Sequence, residues 1–449
     1  MAKEAKTKYL IIGNSAGSIG AAEAIREVDK AGEITIVSDE PYPAYSRPLI
    51  SEYLAKRCSL EKMLFRSVDF YEKNNISTFL GKKAERLNVD EHTAELESGE
   101  KISWEKLLLV TGGLPIIPKI EGIGRSGVFT FTTLDDAKAI NQFLSRFSFR
   151  IARAVVVGGG LIGVSVTEAL AKRGVKVTIV EMKERVLNTI LDEEASALEE
   201  ETIRQVGVEI VTGRTVAKIN SYSGEHVTSV ILDDGRPIPC ELVIVAIGVQ
   251  PRTELVIGTG IKINLGIVVD RHMATSSPDI YACGDVAETY DFVYSENRLT
   301  PIWPNAYLGG RIAGLNMAGV ATEYHGGTVM NSLKYFGLAV TSAGIINPPD
   351  ESYEVIKEKH DHSYKKIVLK DGVIVGMVFA GDIEKSGIVF NLMKERIRAE
   401  SFKRLLVAED FGLASLPEKL WRPRLKVPPS GLIFPANLVG PPEEMVAGE

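Results

Sequence analysis

Two stretches of the chain share one layout, and this repeat restricts the fold more than any other feature. Each stretch has a buried apolar strand, a turn of small residues, a helix, and a second buried strand tipped by an acid. The first runs from Lys8 to Asp39 and the second from Arg153 to Glu181. Each is a βαβ unit, so the sequence predicts an α/β protein with two Rossmann-like dinucleotide-binding domains.

The turn of the second unit, 158–163, reads Gly-Gly-Gly-Leu-Ile-Gly and matches the GxGxxG pattern. The first glycine allows the tight turn, the second lets the backbone approach a pyrophosphate, and the third lets helix and strand pack closely. The N-terminus of the helix then faces the phosphates. We therefore expect a dinucleotide to contact Gly158, Gly160, Leu161, Ile162 and Gly163.

The acid that ends the second unit indicates which dinucleotide binds there. Glu181 lies 18 residues beyond Gly163, where a carboxylate accepts hydrogen bonds from a ribose 2′-hydroxyl. The same carboxylate would repel a 2′-phosphate. The sequence therefore favours NAD(H) over NADP(H). Lys183 and Arg185 follow closely, and they either weaken this preference or belong to a solvated loop.

The turn of the first unit is less regular. Counted from Gly13 as GxGxxG, Ser15 and Ser18 replace the second and third glycines. The Cβ of Ser15 narrows the approach to a pyrophosphate, although its hydroxyl could donate to a phosphate oxygen. Asp39, at the end of the next strand, is the expected ribose ligand, and its neighbour Glu40 is the alternative.

The second unit is inserted into the first domain. An apolar strand leads out at 107–113 and another leads back in at 242–248. Beyond Tyr324 the strands become shorter, and Asp371-Gly372 between two apolar runs predicts a hairpin. The predicted segments are a first nucleotide-binding part at 1–115, the inserted domain at 116–248, a second part of the first domain at 249–324, a C-terminal α+β domain at 325–416 and a Pro-rich tail at 417–449.

Composition excludes several classes of partner. The net charge of −7 argues against nucleic acid, and no apolar run is long enough for a membrane span. Three cysteines without a CxxC pair indicate reduced thiols in a cytoplasmic protein. His360 and His362 flank Asp361, but without a third ligand they indicate a solvated loop, and no metal site is expected. The sequence leaves a homo-oligomer open.

From Lys8 to Leu416 the chain resembles the FAD-dependent pyridine nucleotide–disulfide oxidoreductases. It is most similar to the branch of NADH oxidases, rubredoxin and ferredoxin reductases, and the flavin part of NADH-dependent nitrite reductases. Beyond the two nucleotide turns, the resemblance rests on the segments 45–52, 111–113, 246–251, 278–285, 303–306, 310–311 and 316–319. It implies FAD at the first unit and NAD(H) at the second.

The resemblance also assigns roles to residues. Asp285 would bond the ribityl chain of FAD, and Gly248 would lie in the loop that closes the NAD domain. Arg47 would stabilise negative charge on reduced flavin, with a surface ion pair to Glu52 as the alternative. Trp303 would lie beside the flavin. The full set expected at FAD is Gly13, Ser15, Ala16, Gly17, Asp39, Glu40, Arg47, Pro48, Thr111, Gly112, Gly113, Gly284, Asp285, Trp303 and Ala306.

The chain also departs from the family pattern. Disulfide-reducing members have a cysteine beside the flavin, whereas 44–53 contains none. Cys58 sits in a charged setting that indicates the surface, and Cys283 is expected to be structural. Relatives commonly have a Glu where this chain has Ser165, so the way the nicotinamide is held is open.

Without an active-site cysteine, electrons from reduced FAD need another acceptor. The favoured acceptor is a small electron-transfer protein or an iron–sulfur subunit, since three cysteines are too few for a cluster in this chain. The alternatives are an NADH oxidase that uses dioxygen and a non-catalytic FAD- and NAD-binding sensor. We expect the carrier to dock at an exposed Trp303, in a short loop held by Pro301 and Pro304. The tail is the second expected docking element, and the alternative is that it packs as a strap across its own domain.

Overall fold

A computed structural model describes residues 4–147, 152–222 and 226–422. The first part contains β1 (Glu4–Ile12), α1 (Ala16–Val28), β2 (Ile34–Ser38), α2 (Ile50–Leu54), α3 (Leu60–Met63), α4 (Phe70–Lys73), β3 (Ile76–Leu80), β4 (Ala84–Asn88), β5 (Thr93–Leu96), β6 (Lys101–Leu109) and β7 (Gly113–Pro115). The inserted part contains β8 (Val128–Thr130), α5 (Leu134–Leu144), β9 (Arg153–Val157), α6 (Leu161–Ala171), β10 (Lys176–Glu181), α7 (Glu193–Gln205), β11 (Glu209–Thr212), β12 (Val216–Tyr222), β13 (His226–Leu232), β14 (Pro237–Pro239), β15 (Leu242–Val245) and β16 (Val249–Pro251). The remainder contains β17 (Ile267–Val268), β18 (Ile280–Ala282), β19 (Ala287–Asp291), β20 (Glu296–Leu299), α8 (Trp303–Met317), β21 (Met330–Tyr335), β22 (Leu338–Gly344), β23 (Glu354–His360), β24 (Ser363–Lys370), β25 (Val373–Ala380), α9 (Ser386–Lys394) and α10 (Glu418–Trp421).

The first domain is built on a seven-stranded sheet with the order β3-β2-β1-β6-β5-β4, and β18 adds to β6. The strands β3, β2, β1, β6 and β18 run parallel. Helices α1 and α8 cross closely, because Gly310 faces Gly17 and Gly314 faces Ala21 with no room for a Cβ. This contact joins the first βαβ unit to the chain that returns after the insertion.

The inserted domain has a parallel five-stranded sheet with the order β11-β10-β9-β15-β8. The chain enters it through β7 and leaves it through β16, and these two strands pair antiparallel, with Leu114 opposite Gln250. The fold class predicted from the sequence is therefore confirmed: two dinucleotide-binding folds, one inserted in the other. The segment boundaries at 115, 248, 324 and 416 stay predictions.

The C-terminal domain is an antiparallel sheet with the order β21-β22-β25-β24-β23. The predicted hairpin is confirmed: Asp371 (φ 52°) and Gly372 (φ 75°) form the turn between β24 and β25. In the tail, Leu420 and Trp421 of α10 pack against the core of this domain. This contact favours the strap interpretation for the start of the tail, and its remainder, 423–449, lies outside the described residues.

A buried ion pair fastens the inserted domain to the C-terminal sheet. Asp192 caps α7 by accepting a hydrogen bond from the Ala195 backbone N–H. Its other oxygen accepts bonds from the Tyr364 hydroxyl at 2.6 Å and the Lys366 ammonium at 2.9 Å. Removing one partner of such a buried pair would leave the other charge without compensation. The pair therefore holds the N-terminus of α7 against the C-terminal sheet.

Candidate functional site

The first nucleotide turn is tightly closed against the sheet. Gly13 has φ +120°, and a Cβ there would collide with the Val110 carbonyl oxygen. The Ser18 hydroxyl donates to the Gly13 carbonyl at 2.7 Å, so the side chain that replaces the third glycine fastens the turn. Ser15 is the N-cap residue of α1, and the buried Ala16 and Gly17 follow it. The predicted pyrophosphate site therefore has a rigid floor and a helix N-terminus.

The second turn leaves room for a ligand at one glycine. Gly158 (φ +108°) abuts the Ala246 carbonyl, and Gly163 abuts the Gly158 carbonyl. A Cβ at Gly160, however, would meet nothing within 4 Å. Gly160 is also the N-cap residue of α6, ahead of Leu161 and Ile162. The open space lies where a pyrophosphate would approach, so the residues present fit a dinucleotide.

The carboxylate of Glu181 is fixed at the edge of this open space. It is buried, and its oxygens accept bonds from the backbone N–H groups of Gly159 at 2.6 Å and Lys183 at 2.8 Å. A carboxylate oxygen has a second lone pair for a ribose hydroxyl. The Lys183 side chain is exposed, whereas the Arg185 Nε is buried without a partner within the described ranges.

The two acids after β2 have protein partners. Asp39 pairs with Arg252 at 2.7 Å. Glu40 accepts a bond from the Tyr45 hydroxyl at 2.5 Å and pairs with the guanidinium of Arg47. Their roles toward FAD ribose stay predictions, with Asp39 the more exposed of the two.

The interpretation of Arg47 as a partner of Glu52 is wrong. Arg47 pairs with Glu40 and donates to the Thr132 carbonyl at 2.9 Å, whereas Glu52 pairs with Lys172 at 3.4 Å. The neighbouring Tyr45 hydroxyl also accepts the Leu134 backbone N–H at 3.0 Å. Arg47 is therefore oriented by Glu40 and by the N-terminal end of α5.

Asp285 lies in the part of the first domain that follows the insertion, in a 3-10 turn just after β18. Burial raises the pKa of its carboxyl, and the positive charge of Arg47 opposes that rise. The preceding Gly284 has φ +75°, and its Cβ position lies 3.4 Å from the Cβ of Ala306. The structure thus brings Asp285, Gly284, Ala306 and Arg47 into one region, and their roles toward FAD stay predictions.

The loops that join the domains border the same region. Thr111 donates its hydroxyl to the Arg252 carbonyl at 2.8 Å. Gly112 (φ +74°) faces open space, and Gly113 begins β7. A Cβ at Gly248 (φ +120°) would meet only the Ile116 side chain, at 3.7 Å, among the described residues outside its chain neighbours. Pro48 is exposed.

Trp303 is not in a loop. It opens α8, with Pro304 in the first turn, where a missing backbone N–H costs nothing. Its ring stands edge-on to Phe65 at 4.3 Å and stacks with Tyr307 at 6.2 Å. The ring is half-buried rather than exposed, and its Nε1 has no partner within the part of the chain that the structure describes.

The cysteines differ in burial. Cys283 is fully buried against Gly17 and Gly309, and Cys240 is also buried. Burial raises the pKa of the Cys240 thiol to about 12 and raises that of Cys283 further. Cys58 is half-buried, which corrects the prediction of a surface residue. Burial raises its pKa as well, so ionisation is disfavoured at all three thiols.

Within the described ranges, no group of three or more His, Cys, Asp or Glu side chains is placed to hold a metal ion, and His360 and His362 flank an exposed hairpin turn between β23 and β24. No helix in those ranges is long and apolar enough to cross a bilayer.

Sequence reasoning missed several residues at this site. Arg252 on Asp39, Thr132 on Arg47 and Phe65 on Trp303 are all distant in sequence from their partners. Each of these contacts joins separate segments, so no local pattern could have indicated it. Tyr307 lies four residues after Trp303, a contact spacing that applies only once Trp303 is placed on a helix rather than in a loop. The Glu40–Arg47 pair is closer in sequence, and its opposite charges were the only available signal.

The chain matches two family profiles along most of its length. Residues 7–329 match the family described as pyridine nucleotide-disulphide oxidoreductase. Residues 330–397 match the rubredoxin NAD+ reductase C-terminal domain. Together these matches extend over the two nucleotide-binding folds and most of the C-terminal sheet domain.

Several curated relatives are similar over most of the chain. The epsilon subunit of NADH-dependent phenylglyoxylate dehydrogenase from Aromatoleum evansii is 31% identical, covering 93% of this chain and 98% of that one. NADH-rubredoxin oxidoreductase from Clostridium acetobutylicum is 30% identical, covering 84% and 92%. An NADH oxidase from Methanocaldococcus jannaschii is 31% identical, with 72% of each chain covered. The assimilatory nitrate reductase electron transfer subunit of Bacillus subtilis is longer, and the chain spans about half of it (52%) at 28% identity.

Solved structures show the same fold. The covalent complex of putidaredoxin reductase with putidaredoxin superposes with a TM-score of 0.82, at 26% identity and with 94% of this chain and 99% of that chain covered. NADH:rubredoxin oxidoreductase from Clostridium acetobutylicum superposes with a TM-score of 0.72, at 28% identity and with 88% and 97% covered.

Proposed function

Because the chain belongs to the pyridine nucleotide-disulphide oxidoreductase family, we propose that it passes electrons between NADH and a protein electron carrier. The chain is an oxidoreductase that binds FAD and NAD(H). The carrier we favour is a ferredoxin, a rubredoxin or an iron–sulfur subunit. The observation that carries this proposal is the absence of a cysteine at 44–53, beside the expected flavin position. A disulfide cannot then take the electrons, and an external acceptor is needed.

Bound FAD supplies the hydride and one-electron chemistry, and the protein supplies position and charge. Gly160 and the N-terminus of α6 would hold the NADH pyrophosphate, and Glu181 the adenosine ribose. Asp285 would accept a hydrogen bond from the ribityl chain. Arg47 would place its positive charge beside the flavin, where Glu40 and the Thr132 carbonyl hold it in a fixed direction.

Removing all thiols is expected to leave the reaction intact. We expect the Cys58→Ser, Cys240→Ser, Cys283→Ser variant to keep its NADH–dye activity within about twofold, since no thiol is needed for electron transfer. The serine introduced by Cys283→Ser would bury a hydroxyl in a tight pocket, at a cost of about 1–3 kcal/mol. The same triple variant with Cys283→Ala controls for that cost. Stopped-flow absorbance of the flavin measures both half-reactions. Loss of flavin reduction or reoxidation in folded, FAD-loaded variants of both kinds would restore the disulfide mechanism.

The carrier is proposed to dock near Trp303. The ring of Trp303 is half-buried between Phe65 and Tyr307, so the docking surface must use its exposed neighbours as well. Leu308, five residues further along α8, is 39% exposed, and an apolar side chain that is this exposed suits the core of an interface.

The docking proposal is tested by comparing two acceptors. We expect Trp303→Ala and Leu308→Ser to slow carrier reduction about fivefold more than dye reduction, since each truncation removes roughly 1 kcal/mol of contact. Leu265→Ser, at a 69% exposed leucine in a loop outside α8, should change neither rate. A chain ending at Pro417 tests the tail in the same assay. Equal effects on dye and carrier in all these variants would contradict docking at this surface.

The second candidate function is NADH oxidation by dioxygen. It is favoured by the similarity to the Methanocaldococcus jannaschii NADH oxidase. Turnover with dioxygen alone on the order of tens per second would make oxidase the better description. Lack of any NADH–dye turnover in FAD-loaded protein would instead favour the non-catalytic sensor.

A further inference from the structure

A carboxyl group is buried without a partner where the inserted domain meets the C-terminal domain. Glu199 lies on α7, seven residues after Asp192 and therefore on the same helix face. Its exposed fraction is 0%, and neither of its oxygens has a hydrogen-bond partner within the described residues. Burial raises the pKa of this carboxyl to about 8, and the charge of Glu168 adds to the rise. Glu199 is therefore largely protonated at neutral pH.

A second carboxylate nearby is paired and holds the C-terminal domain. Glu168 on α6 accepts the Phe336 backbone N–H at 2.9 Å and pairs with Lys172 at 3.2 Å. Phe336 forms the turn of the β21–β22 hairpin. Glu168 thus fixes that turn onto α6, and the same residues border a groove of about 500 Å³ that also includes Lys334.

The hairpin residue next to that turn also approaches Glu199. Burial raises the pKa of the Tyr335 hydroxyl, which hydrogen-bonds with Ser165 and lies within electrostatic range of the Glu168 and Glu199 carboxyls. The ionisable groups near Glu199 are therefore Glu168 with Lys172 from α6, and Tyr335 from β21.

At the N-terminus of α7, Asp192 has its own partners on β24. Tyr364 and Lys366 both bond to its carboxylate. Among the carboxyls on this interface, Glu168, Asp192 and Glu194 each pair with at least one lysine, whereas Glu199 has none within the described chain.

We propose that the protonation state of Glu199 controls the docking of the β21–β22 hairpin on α6 and α7. While the carboxyl is protonated, the hairpin stays docked. Loss of the proton releases the hairpin from the two helices. An ionised carboxylate needs water or hydrogen-bond donors. The adjoining groove brings water close to α6 and the hairpin turn. Lifting the turn that Glu168 fixes is therefore the short route by which water can reach Glu199.

The direction of the pH effect follows from linkage. In the docked state the pKa is about 8, and in an open, hydrated state it returns to the ordinary 4.5. The docked state therefore binds the proton more tightly, so docking is strongest at low pH. It weakens as pH rises from about 4.5 to about 8 and then levels off. Over that range the opening constant rises by up to about tenfold per pH unit.

Hydrogen exchange followed by mass spectrometry tests directly whether opening of the β21–β22 hairpin depends on the protonation of Glu199. Full-length, FAD-loaded protein is exchanged from pH 6 to pH 9, and the rates are corrected for the intrinsic pH dependence of amide exchange. We expect opening of 330–344 to rise roughly tenfold from pH 6.5 to pH 7.5 and to level off above about pH 8.5. Glu199→Gln should remove this rise, because it keeps the shape of the side chain and loses the titration. Glu201→Gln, at an exposed position on the same helix, should retain it.

Two results would overturn the proposal. One is a wild-type opening constant that does not change between pH 6 and pH 9. The other is the same pH dependence in wild type and in Glu199→Gln. Glu199→Leu, which suits the apolar surroundings, serves in place of Glu199→Gln if the glutamine variant does not fold. The readout does not depend on the identity of the electron acceptor, so it stands apart from the carrier experiments.

Discussion

Replacing Gly13 with alanine is expected to weaken FAD binding roughly 100-fold, about 2.7 kcal/mol. Gly13 has φ +120°, and a Cβ there meets the Val110 carbonyl oxygen in the neighbouring strand connection. The left-handed backbone costs about 1–3 kcal/mol for a residue with a side chain, and the collision adds a similar amount. Since the turn is the expected floor of the pyrophosphate site, relief of this strain displaces the phosphate-binding backbone.

The matched control is Gly99→Ala, which has φ +84° but no atom within 4 Å of the new Cβ. It carries the backbone strain without the collision and lies away from the nucleotide turns. Titration of apoprotein with FAD, followed by flavin fluorescence, gives both affinities. If Gly13→Ala and Gly99→Ala bind FAD equally well, then this turn does not hold the pyrophosphate.

Wild-type protein is expected to prefer NADH over NADPH by roughly tenfold or more in kcat/KM, about 1.4 kcal/mol. A 2′-phosphate would approach the carboxylate of Glu181, which the backbone N–H groups of Gly159 and Lys183 hold in place. Glu181→Arg should shrink or reverse the preference. It should also lower kcat/KM for NADH, because the glycine turn loses its hydrogen-bond acceptor.

The control for charge alone is Glu184→Arg, at an exposed acid in the same loop. It makes the same change in net charge without touching the Gly159 N–H, so the NADH preference should remain. Steady-state rates with a dye as acceptor, measured over a range of both nucleotides, supply the ratios. Equal use of the two nucleotides by wild type would show that Lys183 and Arg185 control this end of the site.

The nucleotide turns could be predicted from the sequence because they depend on local requirements. Gly158 and Gly163 are needed where a backbone bends tightly beside another strand or carbonyl, and the turn at Asp371-Gly372 needs two residues at positive φ. Glu181 is the last residue of β10, so the length of that strand fixes where its carboxylate lies. Each of these requirements lies within a short stretch of chain, so the residue types reveal it.

Contacts between distant segments were not predictable in the same way. The sequence analysis offered only Glu52 as an ion-pair partner for Arg47, whereas the packing of α5 against 40–47 brings Glu40 to it. Trp303 was expected in a loop because prolines surround it, yet proline also starts helices. Helical spacing places Glu199 on the same face as the buried Ala195 and Ile203, but it does not indicate that the carboxyl is left without a partner there within the described residues.

The pairing of β7 with β16 has a consequence for how such domains are exchanged between proteins. Entry and exit of the inserted domain lie on adjacent strands, one strand spacing of about 5 Å apart. Recombination can therefore replace the whole insertion at two neighbouring splice points without disturbing the first domain. An exchanged inserted domain also needs a matching C-terminal sheet, because Asp192 bonds to Lys366 and Tyr364 on that sheet. Chimaeras that transfer 116–248 alone should therefore assemble less well than chimaeras that also carry the C-terminal domain.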